Sequence, residues 1–135
     1  MSSFAQIQPD GWKRPSGYSH GITSSAGRMI VTAGQIGWNP VSCEFESDDF
    51  VAQVAQALRN VVEVLKAAEA LPVHLVRLTW FITDRTAYML AHKEIGVAYR
   101  EIIGGNYPAM SVIIVSALIE SRAKVEIEAT AVVPV

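Results

Sequence analysis

The stretch NYPAMSVIIV (residues 106–115) places a Tyr-Pro turn directly before a run of β-branched residues. This order predicts entry into a β-strand, because β-branched side chains fit a pleated surface. Between residues 110 and 118, apolar side chains fill most positions of both alternating sets, so both faces of the predicted strand are apolar. Strands of this kind are buried on both faces. The stretch therefore predicts a sheet that is covered on each side.

The rest of the chain predicts strands and helices that alternate around this strand. Residues 49–69 carry apolar side chains at three- and four-residue spacings, which predicts an amphipathic helix. Gln53, Gln56 and Asn60 fall on its opposite, polar face. A second helix starts at Asp84 or Thr86 and ends before two glycines at 104 and 105. Strands are predicted at residues 20–24, 28–33, 76–83, 110–118 and 124–133.

The resulting order, β-β-α-β-α-β-β, predicts an α+β fold with two helices on one face of the sheet. Each helix lies between two strands and is long enough to form a right-handed crossover. No third helix is predicted for the other face, so other copies of the chain are the expected cover. The patterning thus predicts a homo-oligomer and leaves the copy number open.

Length and charge narrow the class of protein. The 135 residues suit one domain over residues 1–135, and half of them are hydrophobic. The net charge is −2 with acids and bases interspersed, so we expect neither a nucleic-acid nor a membrane partner. No apolar run of signal-peptide or bilayer-spanning type is present. Cys43 is the only cysteine, which fits the reducing cytoplasm.

The sequence offers no pattern for a metal or a cofactor. His20, His74 and His92 are far apart, and none stands at metal-ligand spacing from another histidine or from Cys43. Phosphate-binding loops, dinucleotide fingerprints and nucleophile elbows are absent from the sequence. We therefore expect neither a metal nor a cofactor.

Two acidic residues near the end of the chain are the first candidates for chemistry. Glu126 and Glu128 alternate with apolar residues in KVEIEATAVV, so they share one face of a strand. They are either solvated acids on an exposed edge strand, or one of them has a raised pKa in a pocket between subunits and handles a proton or a water. Spacing alone leaves both alternatives open. GYSHG adds Tyr18, Ser19 and His20, which suit either a polar pocket wall or an ordinary turn.

Five motifs stand in a characteristic order: YSHG (18–21), VTAGQIG (31–37), LTWFITD (78–84), YPAMS (107–111) and VEIEATAV (125–132). In order and spacing they resemble the reactive-intermediate imine deaminase family, also called the YjgF/YER057c/UK114 family. The resemblance covers nearly the whole chain from about residue 18 to residue 133. It implies a fold like that of the bacterial chorismate mutase, assembled as a trimer with a barrel-like centre and a small-molecule pocket between each pair of subunits.

The resemblance also implies roles for particular residues. Glu126 is the catalytic candidate, at the position thought to hold the water that hydrolyses the imine carbon. Tyr18 and the backbone near Gly34 line the same pocket, and His20 stands where glutamine is frequent. Ala33 stands where serine is frequent, and Gly96 where some members carry a pocket asparagine. The complete set of expected substrate contacts is Tyr18, His20, Ala33, Gly34, Met110 and Val112.

Met110 is the main departure from the family pattern. Typical members carry an arginine there that grips the carboxylate of an amino-acid-derived imine, through two parallel charge-assisted hydrogen bonds. Methionine is apolar and offers no donor. Met110 is either a changed specificity residue or ordinary core filler. The sequence favours a cytoplasmic trimer that hydrolyses a small imine, enamine or related compound. The alternative is a non-catalytic trimer that binds a small metabolite. Ribonuclease activity or translation inhibition, also attached to the family, finds no support in the mildly acidic charge.

Overall fold

The computed structural model describes residues 4–135. Its strands are β1 (Phe4–Ile7), β2 (Gly21–Ser24), β3 (Gly27–Val31), β4 (Gln35–Ile36), β5 (Leu75–Ile82), β6 (Ala109–Ile114) and β7 (Val125–Pro134). Its helices are α1 (Phe50–Ala67), a 3₁₀ turn (Pro72–His74), α2 (Arg85–Leu90) and α3 (His92–Ile102).

Five strands form one mixed sheet. Its order is β3-β7-β5-β6, and β4 continues the β3 edge along β7. β5 and β6 run parallel, whereas β7 is antiparallel to β5, β3 and β4. β1 and β2 form a separate antiparallel hairpin. The predicted α+β class and the mixed sheet with its main helices on one face are confirmed.

Several element boundaries differ from the predictions. The second helix is two helices, which meet at Ala91, where the backbone angles are −97° and 11°. β6 ends at Ile114 because β5 ends at Ile82, and the last ladder bond runs from the Val115 N–H to the Ile82 carbonyl. β1 was not predicted, since FAQI is too short to carry a clear period.

The core lies between α1, α3 and the central strands. The apolar stripe of α1 is buried as predicted, and it packs on the inner residues of β5 and β7. The largest fully buried apolar side chains are Leu58, Leu65, Leu75, Leu78, Ile82 and Ile127. β6 is an edge strand in one chain and its last three residues are exposed, so the expectation that this stretch is buried on both faces is wrong for a single chain.

The polar face of α1 is also partly buried, contrary to the sequence pattern. Gln53 is 1% exposed and Asn60 is 3% exposed. Gln53 Nε2 donates to the carbonyls of Ser47 and Arg122, and its Oε1 accepts from the Lys124 N–H. Asn60 Nδ2 donates to the carbonyls of Ile36 and Trp38, at and just after the end of β4, and its Oδ1 accepts from Gln56 Nε2. These amides can be buried because their polar atoms are hydrogen-bonded, mostly to backbone groups of distant segments.

Gln53→Leu is expected to lower the free energy of unfolding by about 2–4 kcal/mol, because it leaves one buried N–H and two carbonyls without their partner. Urea denaturation measures the change. Glu63→Leu, on the exposed side of the same helix, is the control and should shift stability far less. Equal effects of the two substitutions would contradict a structural role for the Gln53 amide.

The face of the sheet opposite the helices is uncovered in one chain. Met29 and Val31 of β3 are 67% and 68% exposed, and Ile113 of β6 is also exposed. Register places Val31 beside Thr130, and Ile113 beside Phe81 and Glu126, on this same face. This surface, the bare face, therefore combines exposed apolar side chains with the two candidate carboxylates.

Candidate functional site

A β-bulge brings Gly34 against Glu126. Between the pairs Val31–Thr130 and Gln35–Ile127, the β3–β4 edge contains one more residue than β7. An extra residue of this kind forms a bulge, which bends a strand locally and is frequent beside active sites. A Cβ atom at position 34 would lie 2.7 Å from Glu126 Cγ and Cδ and 2.9 Å from Oε2. A side chain at position 34 would therefore push the Glu126 carboxylate out of its present position.

A buried hydroxyl holds the bulge in place. Thr32 Oγ1 donates to the Ala33 carbonyl and accepts from the Ala129 N–H, while the Thr32 N–H donates to the Ala129 carbonyl. Ala33 itself is exposed on the bulge. The sequence pattern gave no sign of this role for Thr32, because the partner atoms come from β7, about 97 residues further along the chain.

Glu126 and Glu128 share a face of β7 but differ in their surroundings. Glu126 is half-buried beside the bulge, and Glu128 is exposed. β7 is a central strand of the sheet, so the explanation of these acids as residues of an edge strand is wrong. Their shared face follows from alternation, as predicted, and lies where no helix of the same chain covers it.

Tyr18 and His20 form a second group, anchored by the residue between them. Ser19 is buried; its N–H donates to the Pro108 carbonyl and its Oγ donates to the Tyr107 carbonyl at 2.7 Å. The rings of Tyr18 and His20 meet edge to face at 5.8 Å between centroids. These two hydrogen bonds of Ser19 hold the YSHG motif at the beginning of β6.

The two groups lie far apart within one chain. In the sheet register, Glu126 and Ile113 both pair with Phe81, whereas Ser19 pairs with Ala109. Ala109 and Ile113 are four residues apart on β6, which corresponds to roughly 13 Å along the strand direction. Three strand spacings separate Ser19 from β7, which adds roughly 14 Å across the sheet. A site that includes both groups therefore requires two chains.

Met110 and Val112 point away from Glu126 in their own chain. Register pairs them with Leu78 and Trp80, which belong to the helix-covered face. Met110 is half-buried against the core, and Val112 is exposed at the sheet edge. Within one chain Met110 thus fills the core edge, and it can face a Glu126 carboxylate only if that carboxylate belongs to another chain.

The beginning of β6 is fixed by an amide hub at Asn106. Asn106 Nδ2 donates to the carbonyls of Pro72 and Leu75, and its own carbonyl accepts from Tyr99 Oη at 2.6 Å. Burial raises the pKa of Tyr99, with a further rise from the neighbouring Tyr107 charge, so the hydroxyl stays protonated and donates. The hub determines where Met110 enters the sheet.

Three further expectations concern Gly96, a metal ion and a membrane partner. A Cβ at Gly96 would meet nothing within 4 Å, so α3 has space for a side chain there. Among residues 4–135, no three His, Cys, Asp or Glu side chains lie close enough to hold a metal ion. In the same part of the chain, no helix is long and apolar enough to cross a membrane.

A mixed sheet with helices on one face, and a glycine bulge against a strand carboxylate, defines a small α+β protein of the chorismate-mutase-like class. The family model described as Endoribonuclease L-PSP matches residues 12–133 of this chain. The chain belongs to this family, the reactive-intermediate imine deaminase or YjgF/YER057c/UK114 family.

Individual relatives agree with this membership. Protein DfrA of Myxococcus xanthus is 35% identical over 115 residues, which cover 85% of this chain and 84% of that protein. The human 2-iminobutanoate/2-iminopropanoate deaminase is 31% identical over 78% of this chain and 73% of its own. The crystal structure of the Rid-family protein YyfB from Yersinia pestis superposes with a TM-score of 0.83 at 33% identity, covering 98% of this chain and 100% of that one.

Proposed function

We propose that the protein is a homotrimeric hydrolase that converts a small imine, enamine or related compound into a carbonyl compound and ammonia. The observation that carries the proposal is the half-buried Glu126 carboxylate, which lies against the Gly34 backbone on the bare face. The deaminase activity named for the human relative supports the reaction class. The unpaired Cys43 suits the cytoplasm as the site of action.

The reaction needs one group that takes and returns a proton. Glu126 accepts a proton from water as the water oxygen bonds to the imine carbon, which gives a tetrahedral carbinolamine. Glu126 returns this proton to the nitrogen, which completes the neutral carbinolamine. Glu126 then transfers the hydroxyl proton of the carbinolamine to the nitrogen as the C–N bond breaks, so ammonia leaves and the carbonyl forms. One water is consumed and nothing is oxidised or reduced. An enamine first takes a proton on carbon to become the imine.

Two chains would complete this site. Tyr18 and His20, roughly 20 Å from Glu126 in their own chain, would line the pocket of a neighbouring subunit's Glu126. Met110 and Val112 would contact an apolar part of the substrate, because neither side chain offers a hydrogen-bond donor. Ala33 and Gly34 would form the wall behind the carboxylate.

The protein is expected to assemble in solution, because the exposed apolar side chains of the bare face have no helix to cover them. The family membership supports three copies. Light scattering should return three times the 14.7 kDa of one chain. A stable monomer would contradict the proposal, since it removes any pocket built from two chains.

The alternative is a trimer that binds a small metabolite without turning it over. The observation in its favour is Met110, since an enzyme for 2-imino acids would need a hydrogen-bond donor to the substrate carboxylate at this position. Ammonia release from a panel of small imines distinguishes the two functions. The hydrolase releases ammonia catalytically from at least one imine, whereas the binding protein retains its ligand and releases none.

A further inference from the structure

Thr32 is a buried polar residue in the β-bulge, directly after β3 and two residues before Gly34. It is 3% exposed, so its side chain lies out of reach of a ligand. We propose that Thr32 is a positioning residue: its hydroxyl fixes the bulge, and the bulge fixes the Glu126 carboxylate that takes the proton from water. This role depends on the proposed hydrolysis and adds to it a residue that does not contact the substrate.

The Thr32 hydroxyl replaces a main-chain acceptor at the place where the ladder between β3 and β7 ends. The Thr32 N–H donates to the Ala129 carbonyl at 2.9 Å. In a regular antiparallel pair, the Ala129 N–H would donate back to the Thr32 carbonyl. It donates instead to Thr32 Oγ1 at 3.1 Å, and the hydroxyl donates to the Ala33 carbonyl at 2.9 Å. The main chain can therefore leave the ladder at Thr32 without leaving the buried Ala129 N–H unpaired.

The bulge in turn lies against the side chain of Glu126. A Cβ atom at Gly34 would lie 2.7 Å from Glu126 Cγ and Cδ, so the Gly34 main chain packs directly on this side chain. Within residues 4–135 of one chain, the Glu126 carboxylate forms neither a hydrogen bond nor an ion pair. Its position therefore depends on packing against the bulge. A displacement of about 1 Å can lower the rate of a reaction about a hundredfold.

Two substitutions separate the hydroxyl from the shape of the side chain. Thr32→Val keeps the shape and removes both hydrogen bonds of the hydroxyl, so the Ala129 N–H loses its acceptor. We expect the bulge to move and kcat for imine hydrolysis to fall at least about tenfold. KM should change less, because Thr32 does not contact the substrate. Thr32→Ser keeps the hydroxyl and loses only a buried methyl group, so its kcat should stay within about threefold of the wild-type value.

Two measurements on the assembled protein test this role. Steady-state ammonia release gives kcat and KM for each variant. Carbon nuclear magnetic resonance of protein with ¹³C-labelled glutamate carboxyl groups gives the Glu126 Cδ signal, which is the one that disappears in Glu126→Gln. This signal should shift in Thr32→Val and stay at its wild-type position in Thr32→Ser.

Thr79→Val is the matched control. It makes the same chemical change at a buried threonine of β5, which pairs with Glu128. Among the described residues the Thr79 hydroxyl forms no hydrogen bond, so its loss should change neither kcat nor the Glu126 signal. Urea denaturation of each variant establishes that it is folded under the assay conditions, so a loss of activity is not confused with unfolding.

Three outcomes would overturn the positioning role. Wild-type kcat in Thr32→Val would show that the hydroxyl is not needed. An equal loss of kcat in Thr32→Ser and Thr32→Val would mean that packing matters and the hydroxyl does not. A fall in kcat without a shift of the Glu126 signal would show that the bulge acts through another group.

The carboxyl signal also separates this role from the proposed function. If the wild type hydrolyses no imine, the proposed function fails, whereas a shift of the Glu126 signal in Thr32→Val, absent from Thr32→Ser, still supports the positioning of Glu126 by Thr32. An unshifted signal in Thr32→Val overturns the role of Thr32, whether or not the wild type is active.

Discussion

Glu126→Gln is expected to lower kcat for imine hydrolysis at least about a hundredfold, the range in which a positioned general base contributes. The amide has nearly the shape of the carboxylate and fits beside Gly34, but it cannot accept a proton from water. Substrate binding should therefore survive, with KM close to the wild-type value. Steady-state ammonia release and a separate binding titration measure the two effects.

Glu128→Gln is the matched control. It makes the same change on the same face of β7, two residues away, but Glu128 is exposed and Gly34 does not approach it. Its kcat should change little. If Glu128→Gln abolishes turnover while Glu126→Gln leaves it intact, the assignment of the two carboxylates is wrong. If both variants bind and the wild type never turns over, the metabolite-binding alternative is favoured.

Most of the fold could be predicted from the local spacing of apolar residues, because this spacing reflects which side chains are buried. The stripe through Val54, Leu58 and Leu65 predicted α1, and these side chains are in the core. Gln53 and Asn60 broke the rule, since a helical period separates apolar from polar residues but does not say which polar residues meet unpaired backbone atoms. Their partners at 36, 38, 122 and 124 come from distant segments.

The candidate site could be predicted only in part, because the register between two strands cannot be deduced from the sequence of one strand. Alternation alone placed Glu126 and Glu128 on one face. The contact between Gly34 and Glu126 needs the one-residue bulge, and the orientation of Met110 needs its parallel pairing with Leu78. A pocket that contains both Met110 and Glu126, as the family resemblance implies, can form only between two chains, so assembly is a condition for this pocket.

Met110→Arg is expected to raise hydrolysis of 2-imino acids at least about tenfold, the lower end for a charge-assisted hydrogen bond to a carboxylate. The wild-type side chain lacks a donor, so these substrates lose one contact that the typical family pattern supplies. Position 110 is half-buried near the free edge of β6, so the arginine stem can pack where the methionine packs while the guanidinium reaches towards the neighbouring subunit. Comparison of kcat/KM for 2-iminopropanoate in the two proteins measures the gain.

Met110→Leu separates the new donor from a change in packing. Leucine is apolar and of similar volume, so it should keep the trimer and gain no activity on 2-imino acids. An arginine left without a ligand costs several kcal/mol if it is buried, so the assembly of Met110→Arg must be measured in the same sample. A trimeric variant that gains no activity would assign the missing contacts to Ala33 or Gly96.

Wild-type protein that already hydrolyses 2-iminopropanoate as fast as its relatives would refute the altered preference. The next candidates for the group that binds the substrate carboxylate would then be Arg100, Arg122 and Lys124.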